Sequence, residues 1–268
     1  MESVVSKDGT RIVFYKSGHG PALVLVHGTS ADHTRWAPVL PAFEEQFTVY
    51  AVDRRGRGDS GDTEPYDIQR EFEDIAAVID SIGGPVNVLG HSYGALCSLN
   101  AALLTNNINK LILDEPPIVT GDDRFFPPSL IGEMEGLLAK GDRDGAVVTF
   151  LSKVPKLSME ELALLRTLPA WQGRLQTAHT LLREMVWPNN LYKWDASRFA
   201  HLKVRTLLLL GGNSSAIFKN AIYAVHQALS NSTVTVMPGQ MHVAMNTVPE
   251  QYKKWVLDFL MAPEMSKA

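Results

Sequence analysis

Short apolar runs alternate with amphipathic stretches through the first half of the chain. The runs have the length and the β-branched content of buried strands, and apolar residues recur at helical spacing between residues 69 and 82. We predict strands at 11–15, 22–26, 47–52, 86–89 and 108–113, and helices at 34–45, 69–82 and 95–103. Strands separated by helices predict a mainly parallel sheet with helices on both faces.

The pattern changes between residues 117 and 203, where no run is typical of a strand. Helices are predicted there at 130–139, 144–151, 159–168 and 172–185. Strand patterns return at 204–210 and 233–237, with helices predicted at 215–229 and 249–260. We therefore predict a core formed by residues 1–116 and 204–268, and a helical cap, residues 117–203, inserted into it.

Composition narrows the class of protein. A chain of 268 residues that is 45% hydrophobic is long enough for one large domain with an insertion. The net charge of −4 and the pI of about 6.1 argue against a nucleic-acid partner. No apolar run reaches the roughly 18 residues of a membrane helix, and the N-terminal stretch lacks a signal-peptide core. We expect no membrane association and a cytoplasmic location. Cys97 is the single cysteine and is expected to be a small buried residue.

The stretch Gly90-His91-Ser92-Tyr93-Gly94 reads G-x-S-x-G and lies between a predicted strand and a predicted helix. On such a turn the serine hydroxyl is exposed at the helix N-terminus, and the glycines allow close backbone approach. The motif alone is weak evidence, because glycine and serine are common in turns. Its context favours a catalytic serine at Ser92 over a structural turn.

Four motifs in this order resemble the α/β-hydrolase family. They are His27-Gly28-Thr29, the loop 53–60, the G-x-S-x-G turn and Pro238-Gly239-Gln240-Met241-His242. The resemblance covers nearly the whole core and leaves the cap without a specific match. It implies an α/β-hydrolase fold with a mainly parallel eight-stranded sheet, and a catalytic triad that needs neither metal nor cofactor. We interpret the loop 53–60 as structural, because its arginines and glycines suit a tight hydrogen-bonded turn.

The resemblance implies that His242 is the general base, since it follows the last strand as the family histidine does. An imidazole titrates near neutral pH, which suits a group that takes the proton from Ser92 and returns it to the leaving group. The alternative is a histidine on a surface loop. We expect His27 to support its loop through hydrogen bonds and His91 to face the sheet or the base of the cap.

The position of the catalytic acid departs from the commonest family pattern, in which an Asp follows the seventh strand. Residues 206–249 contain no Asp or Glu. Asp114 and Glu115 follow the preceding core strand, where some dehalogenases and zearalenone-type lactonases of this family take their acid. Glu115 lies 23 residues after Ser92 and matches those branches better. Adjacent strand residues point to opposite faces, so one of the two should reach His242. We favour Glu115. Asp114, a neutral orienting Asn213, and a purely structural role for both carboxylates stay open.

An oxyanion hole needs two backbone N–H groups aimed at the developing negative charge. One is expected from Tyr93, which follows the nucleophile and starts a helix. By resemblance, the other comes from Thr29.

The cap is expected to set substrate preference, because it is rich in aromatic residues. Apolar residues at helical spacing more often pack than bind, but a mostly apolar cleft is the expected binding site. We predict that Trp171, Trp187 and Met241 contact the substrate. Epoxide hydrolases of this family use an aspartate nucleophile and a pair of cap tyrosines. Since this chain has a serine and one cap tyrosine, Tyr192, epoxide opening is disfavoured.

These observations predict a serine hydrolase, an esterase or lactonase that cleaves apolar, small-to-medium esters or lactones through an acyl-enzyme on Ser92. C–C bond hydrolysis or perhydrolysis on the same triad is an alternative. A slow ligand receptor with this fold is another. The expected partner is a small-molecule ester or lactone, and the expected state is a monomer or homodimer.

Overall fold

A twisted sheet of eight strands runs through the part of the chain that the computed structural model describes, residues 1–121, 125–190 and 192–263, with backbone only for 186–190. The strands are β1 (Glu2–Val5), β2 (Arg11–Gly18), β3 (Ala22–Val26), β4 (Thr48–Asp53), β5 (Val86–His91), β6 (Ile108–Asp114), β7 (Arg205–Gly211) and β8 (Ser232–Met237). Their order is β1-β2-β4-β3-β5-β6-β7-β8. β2 pairs antiparallel with β1 and β4, and every later pair is parallel. The predicted fold class is confirmed.

Helices connect the strands. They are α1 (Leu40–Glu44), α2 (Ile68–Ser81), α3 (Tyr93–Ala101), α4 (Pro128–Ala139), α5 (Arg143–Lys153), α6 (Met159–Thr167), α7 (Ala170–Gln176), α8 (Leu181–Asn190), α9 (Ala216–Ala228), α10 (Ala244–Thr247) and α11 (Pro249–Met261). Short 3-10 helices lie at His33–Trp36, Ala178–Thr180 and Ala196–Phe199.

Both faces of the sheet are buried, as the apolar runs predict. Along β3, Val24 and Val26 belong to one apolar cluster while Leu23 and Leu25 belong to the other, because successive side chains alternate across a strand. Helices α2, α3 and α9 cover the first face, and α1 and α11 cover the second. The parallel strands therefore end at one edge of a covered sheet, where binding sites of such sheets lie.

The segment 117–203 between β6 and β7 contains α4 to α8, and we call it the cap segment. Its helices bury a third apolar cluster that includes Phe150, Trp171 and Leu181. Phe218 of α9 and Val243 also belong to this cluster, so it joins the cap segment to the core. The division into core and cap at residues 117 and 203 stays a prediction.

Three stretches differ from the sequence-based expectation. β1, an exposed edge strand, was not predicted. The predicted helix 34–45 is a 3-10 turn followed by the short α1, because Pro38 and Pro41 lack the amide hydrogen that a continuous helix requires. The predicted helix 172–185 is interrupted after α7 by the 3-10 turn Ala178–Thr180, in which the Thr180 amide donates to the Thr177 carbonyl oxygen at 3.0 Å.

Candidate active site

Ser92 occupies a strained turn between β5 and α3. Its φ of 55° and ψ of −123° lie outside the regions that an L-residue prefers, so surrounding contacts must hold it. Its amide donates to the carbonyl oxygen of Asp114 at 2.7 Å. A Cβ at Gly94 would lie 2.2 Å from the Val26 carbonyl oxygen, and one at Gly90 would lie 2.6 Å from the Gly94 carbonyl oxygen. The G-x-S-x-G glycines therefore permit the close packing that fixes the serine.

His242 and Glu115 form a buried hydrogen-bonded pair. His242 Nδ1 lies 2.6 Å from Glu115 Oε2. The other carboxylate oxygen accepts from the Gly211 amide at 2.8 Å. Glu115 is fully buried and His242 is 8% exposed. Since an ionised carboxylate can only accept, Nδ1 carries the hydrogen and Nε2 is left as the basic nitrogen.

Backbone conformation directs the two adjacent carboxylates to opposite sides. Glu115 follows β6 with a φ of 47°, in the left-handed region, and its side chain reaches the end of β7. Asp114, the last residue of β6, instead accepts from the Tyr252 hydroxyl at 2.9 Å. Burial, together with the neighbouring Glu115 charge, raises the pKa of Asp114 well above its usual value. The structure thus brings Glu115, and not Asp114, to His242.

The imidazole of His242 is held on two sides. The Phe218 ring stacks on it with centroids 4.5 Å apart, and the His91 ring lies 4.8 Å away. His91 Nε2 donates to the backbone carbonyl oxygen of His242 at 2.9 Å. Burial and the Arg35 charge lower the pKa of His91 well below its usual value, so it is neutral at pH 7. His91 therefore positions the loop that carries His242.

Thr29 and Tyr93 lie beside the nucleophile. Both line the same cleft as Ser92 and His242. The loop after β3 passes so close that a Cβ at Gly28 would lie 2.9 Å from the Ser92 Cβ. Tyr93 is the first residue of α3, where backbone N–H groups have no acceptor within the helix. The proposed oxyanion donors are therefore adjacent to the serine.

A cleft of about 620 Å³, including the space at its mouth, opens above these residues. Most of its wall is apolar and comes from the cap segment, and Phe218 and Val243 contribute from the core. The apolar residues from the cap segment are Pro117, Phe125, Phe126, Phe150, Leu151, Val154, Pro155 and Met185.

Of the three predicted substrate contacts, two are not found on the described cleft wall and the third lies outside the described side chains. Trp171 is not among the residues that line the described cleft. It packs inside the cap segment, where its Nε1 donates to Asp144 Oδ1 at 3.1 Å. Met241 is half-buried and is also absent from the described cleft wall, although its neighbours His242 and Val243 line it. The structure does not support these two contacts. The Trp187 side chain lies outside the described residues, so its role stays a prediction.

The neutral alternative to the acid also lies away from the imidazole. Asn213 Nδ2 donates to the Gly239 carbonyl oxygen at 3.3 Å, in an exposed contact.

The sequence analysis did not predict three charged residues that line the cleft, Arg35, Arg174 and Glu184. No motif marks them, because they meet only when the cap segment packs on the core.

Arginines of the loop 53–60 form a buried ion network below the cleft. Arg54 donates to both oxygens of Glu71, at 2.8 and 2.9 Å, and Arg57 donates to Glu71 at 3.1 Å. Both guanidinium groups also bond to Glu184 Oε1 of the cap helix α8. Burial alone would raise the pKa of Glu71, but these two cations outweigh it and lower that pKa to about 2. The loop therefore joins the cap segment to the core, in keeping with a structural role.

Within the described ranges, no group of three or more His, Cys, Asp or Glu side chains is arranged to hold a metal ion. No helix in that part of the chain is long and apolar enough to span a membrane.

Comparison with known proteins agrees with the fold and the motifs. An alpha/beta hydrolase from Sphaerobacter thermophilus DSM 20745 is 35% identical, with a TM-score of 0.82, over 97% of this chain and 100% of that one. The esterase RhEst1 from Rhodococcus sp. ECU1013 is 22% identical, with a TM-score of 0.80, over 97% of this chain and 98% of its own, a likeness of fold. A soluble epoxide hydrolase from Corynebacterium sp. strain C12 is 33% identical over 130 residues, 46% of each chain.

The matched segments span only 17% to 46% of the length of the curated relatives. The model of the alpha/beta hydrolase family, in contrast, matches residues 23–255, which include the turn at Ser92, Glu115, the cap segment and His242. The chain belongs to the α/β-hydrolase family.

Proposed function

We propose that this protein is a serine hydrolase that cleaves carboxylic esters or lactones through an acyl-enzyme on Ser92. The observation that carries the proposal is the hydrogen bond of 2.6 Å between His242 Nδ1 and Glu115 Oε2, in a cleft that Ser92 also lines. This bond leaves Nε2 as the base on the cleft side. A nucleophile, a base and an orienting carboxylate are the parts that acyl transfer requires.

In the first half of the reaction, Ser92 Oγ attacks the carbonyl carbon and His242 Nε2 takes the hydroxyl proton. The negative charge that develops on the carbonyl oxygen is stabilised by the amides of Thr29 and Tyr93. The bond from carbon to the leaving oxygen then breaks, and His242 gives its proton to that oxygen. A lactone substrate keeps this alcohol attached to the acyl group.

In the second half, water attacks the acyl-enzyme while His242 takes one of its protons. The bond between the acyl carbon and Ser92 Oγ breaks, and the proton returns to Oγ. Glu115 keeps the imidazole in the Nδ1–H tautomer and stabilises its cation in both halves. The carboxylic acid is released and Ser92 is restored.

Serine chemistry fits this site better than epoxide opening, although a relative bears the name of an epoxide hydrolase. Epoxide opening in this family uses an aspartate at the nucleophile position, and here that position is Ser92. An ester or lactone carbonyl, in contrast, supplies the oxyanion for which the two adjacent amides are suited. The apolar wall favours substrates with hydrocarbon groups next to the carbonyl.

Pre-steady-state hydrolysis of p-nitrophenyl butyrate tests the proposal. We expect a burst of p-nitrophenol equal to the enzyme concentration, followed by steady turnover, and covalent labelling of Ser92 by a fluorophosphonate. Ser92→Ala should lose both signals and keep its fold, because it removes only a hydroxyl. Ser152→Ala, a serine on α5 that bonds to the Thr149 carbonyl, is the matched control and should keep both. A folded Ser92→Ala protein with full turnover would overturn the mechanism, and a burst without turnover would indicate a receptor.

A further inference from the structure

In the part of the chain that the structure describes, two arginines line the cleft without forming an ion pair with a carboxylate. Arg35 comes from the 3-10 helix 33–36 and Arg174 from the cap helix α7. Their exposed fractions are 3% and 5%. A buried guanidinium is normally matched by a carboxylate, because burial removes its hydration. Neither arginine forms an ion pair with any residue that the structure describes, so their charge needs another explanation.

Arg35 has no hydrogen-bond acceptor in the described part of the chain. Its Nε is buried without a partner, and its Nη2 lies 3.2 Å from His91 Nε2. That imidazole nitrogen already donates to the His242 carbonyl oxygen, so it carries the hydrogen and cannot accept one from Arg35. The charge of Asp114 acts on Arg35, but Asp114 forms no ion pair with it among the described residues and accepts instead from the Tyr252 hydroxyl, while burial raises its pKa well above the usual value.

Among the described residues, the Arg174 guanidinium donates only to a neutral acceptor, the Ser30 carbonyl oxygen, which lies 3.0 Å from Nη1. The charge of Asp32 acts on it, but the two form no ion pair in the described part of the chain, and Asp32 Oδ1 instead accepts from the Thr34 amide at 2.9 Å. Burial, with repulsion from Arg35, lowers the pKa of Arg174 to about 9. Burial lowers the pKa of Arg35 to about 10. Both groups are therefore cationic at neutral pH.

Glu184, the carboxylate on the cleft wall, does not offset this charge. Its Oε1 is shared by Arg54 and Arg57 on the core side, and these two cations balance the charges of Glu184 and Glu71, while Glu184 Oε2 is buried without a hydrogen-bond partner among the described residues. Among the described residues, the cleft therefore presents two arginines without an ion pair and one carboxylate that belongs to a network of two glutamates and two arginines. This imbalance favours an anionic ligand over a neutral or cationic one.

We propose that Arg35 and Arg174 bind a carboxylate of the substrate, so that the preferred ester or lactone carries a negative charge in addition to its reacting carbonyl. The inference rests on the proposed hydrolase function and deepens it. A carboxylate suits both arginines, because a guanidinium presents N–H groups in a fork that matches its two oxygens. Ligand binding would then supply the counter-charge that the protein omits.

Paired substrates test the inference. One set consists of p-nitrophenyl monoesters of glutaric, adipic and pimelic acid, and the other replaces the free carboxylate by a carboxamide of the same shape. After subtraction of the uncatalysed rate, we expect the acid-ended ester to have a kcat/KM about 10- to 100-fold higher at one or more chain lengths, the effect of a charge-assisted hydrogen bond. Equal rates at all three lengths would overturn the proposal.

Variants assign the preference to the arginines. Arg35→Met and Arg174→Met should each lower the ratio of acid-ended to amide-ended kcat/KM about tenfold or more. Arg174→Lys, which keeps the charge, should retain part of that ratio. Arg166→Met is the matched control, because Arg166 is an exposed arginine of the cap segment that pairs with Asp144, and its ratio should not change. A parallel loss for both substrates would show that the arginines act on the oxyanion or on the fold, and would reject a substrate carboxylate site.

Calorimetric titration of the Ser92→Ala protein separates this inference from the hydrolase proposal. We expect the diacid of the preferred length to bind at least tenfold more tightly than its diamide, and Arg35→Met in the same background to abolish the difference. Absence of ester turnover together with this selective binding would reject the hydrolase function and leave the anion site standing. Turnover of esters without selective binding would reject the anion site and leave the hydrolase function standing.

Discussion

Glu115 and His242 are joined by a hydrogen bond of 2.6 Å, although Glu115 follows β6 and not the strand nearest to the histidine loop. The left-handed turn after β6 carries the carboxylate across the end of β7, where the Gly211 amide holds its second oxygen at 2.8 Å. One carboxylate therefore orients the imidazole and also satisfies a buried amide. No acid follows β7, so the carboxylate that orients the histidine comes from the end of the neighbouring strand, β6.

The first prediction concerns this carboxylate. Glu115→Gln should lower kcat by about 10³- to 10⁴-fold, because the neutral amide no longer fixes the Nδ1–H tautomer or stabilises the imidazolium. Asp114→Asn is the matched control. Since Asp114 bonds to Tyr252 rather than to His242, and burial raises its pKa well above the usual value, a neutral amide should change kcat little. Steady-state kinetics with p-nitrophenyl butyrate measure both.

A larger loss of kcat in Asp114→Asn than in Glu115→Gln would assign the role of the acid to Asp114. If Asn213→Ala alone gave a large loss, a neutral orienting residue would replace Glu115 in the mechanism. Circular dichroism of each variant distinguishes these results from a loss of folded protein.

The sequence predicted those parts of the site that depend on local pattern. The strand, turn and helix around Ser92 are encoded in neighbouring residues, and the lack of acids in 206–249 directed attention to Glu115. The charged residues of the cleft were missed for a physical reason. Arg35 and Arg174 are 139 positions apart in the sequence numbering, and only the packing of the cap segment on the core brings both to one cleft. Trp171 is predicted to contact the substrate because aromatic content does not specify which face of a helix a residue occupies.

The second prediction concerns the apolar wall. Phe150 of α5 lines the cleft, so Phe150→Ala should enlarge the acyl site and raise the ratio of octanoate to acetate hydrolysis about tenfold, the scale of one or two methylene contacts. Trp171→Ala is the matched control, because that ring packs within the cap segment. It should lower the melting temperature and keep the wild-type ratio. Kinetics with p-nitrophenyl esters of graded chain length measure the effect, and a shift only in Trp171→Ala would restore Trp171 as a substrate contact.

The third prediction concerns the ion network that joins the cap segment to the core. Glu71→Gln should destabilise the protein by about 3–5 kcal/mol, because Arg54 and Arg57 lose a buried counter-charge. Glu73→Gln on the same helix should cost about 1 kcal/mol or less, since Glu73 pairs with the exposed Lys7 and Arg70. Urea denaturation measures both changes.

The same network predicts a pH dependence. Folding lowers the pKa of Glu71 from its usual 4.5 to about 2, so its contribution to stability is complete above pH 4.5 and is lost as the pH falls toward 2. The difference in unfolding free energy between wild type and Glu71→Gln should therefore shrink over this window. A difference that stays constant between pH 5 and 2.5 would mean that Glu71 is not ionised in the folded protein.

The fourth prediction concerns the turn that holds Ser92. A Cβ at Gly94 would lie 2.2 and 2.4 Å from the carbonyl oxygens of Val26 and His27, and backbone on both sides prevents an easy shift. Gly94→Ala should therefore displace the turn and reduce both esterase activity and fluorophosphonate labelling by more than tenfold, because the nucleophile and the Tyr93 amide move together. Gly132→Ala is the matched control, since its Cβ would enter open space on the exposed side of α4. It should raise stability by up to about 1 kcal/mol, the helix preference of alanine over glycine, and leave labelling unchanged. Normal labelling of a folded Gly94→Ala protein would mean that the close packing of β3 against α3 does not set the serine geometry.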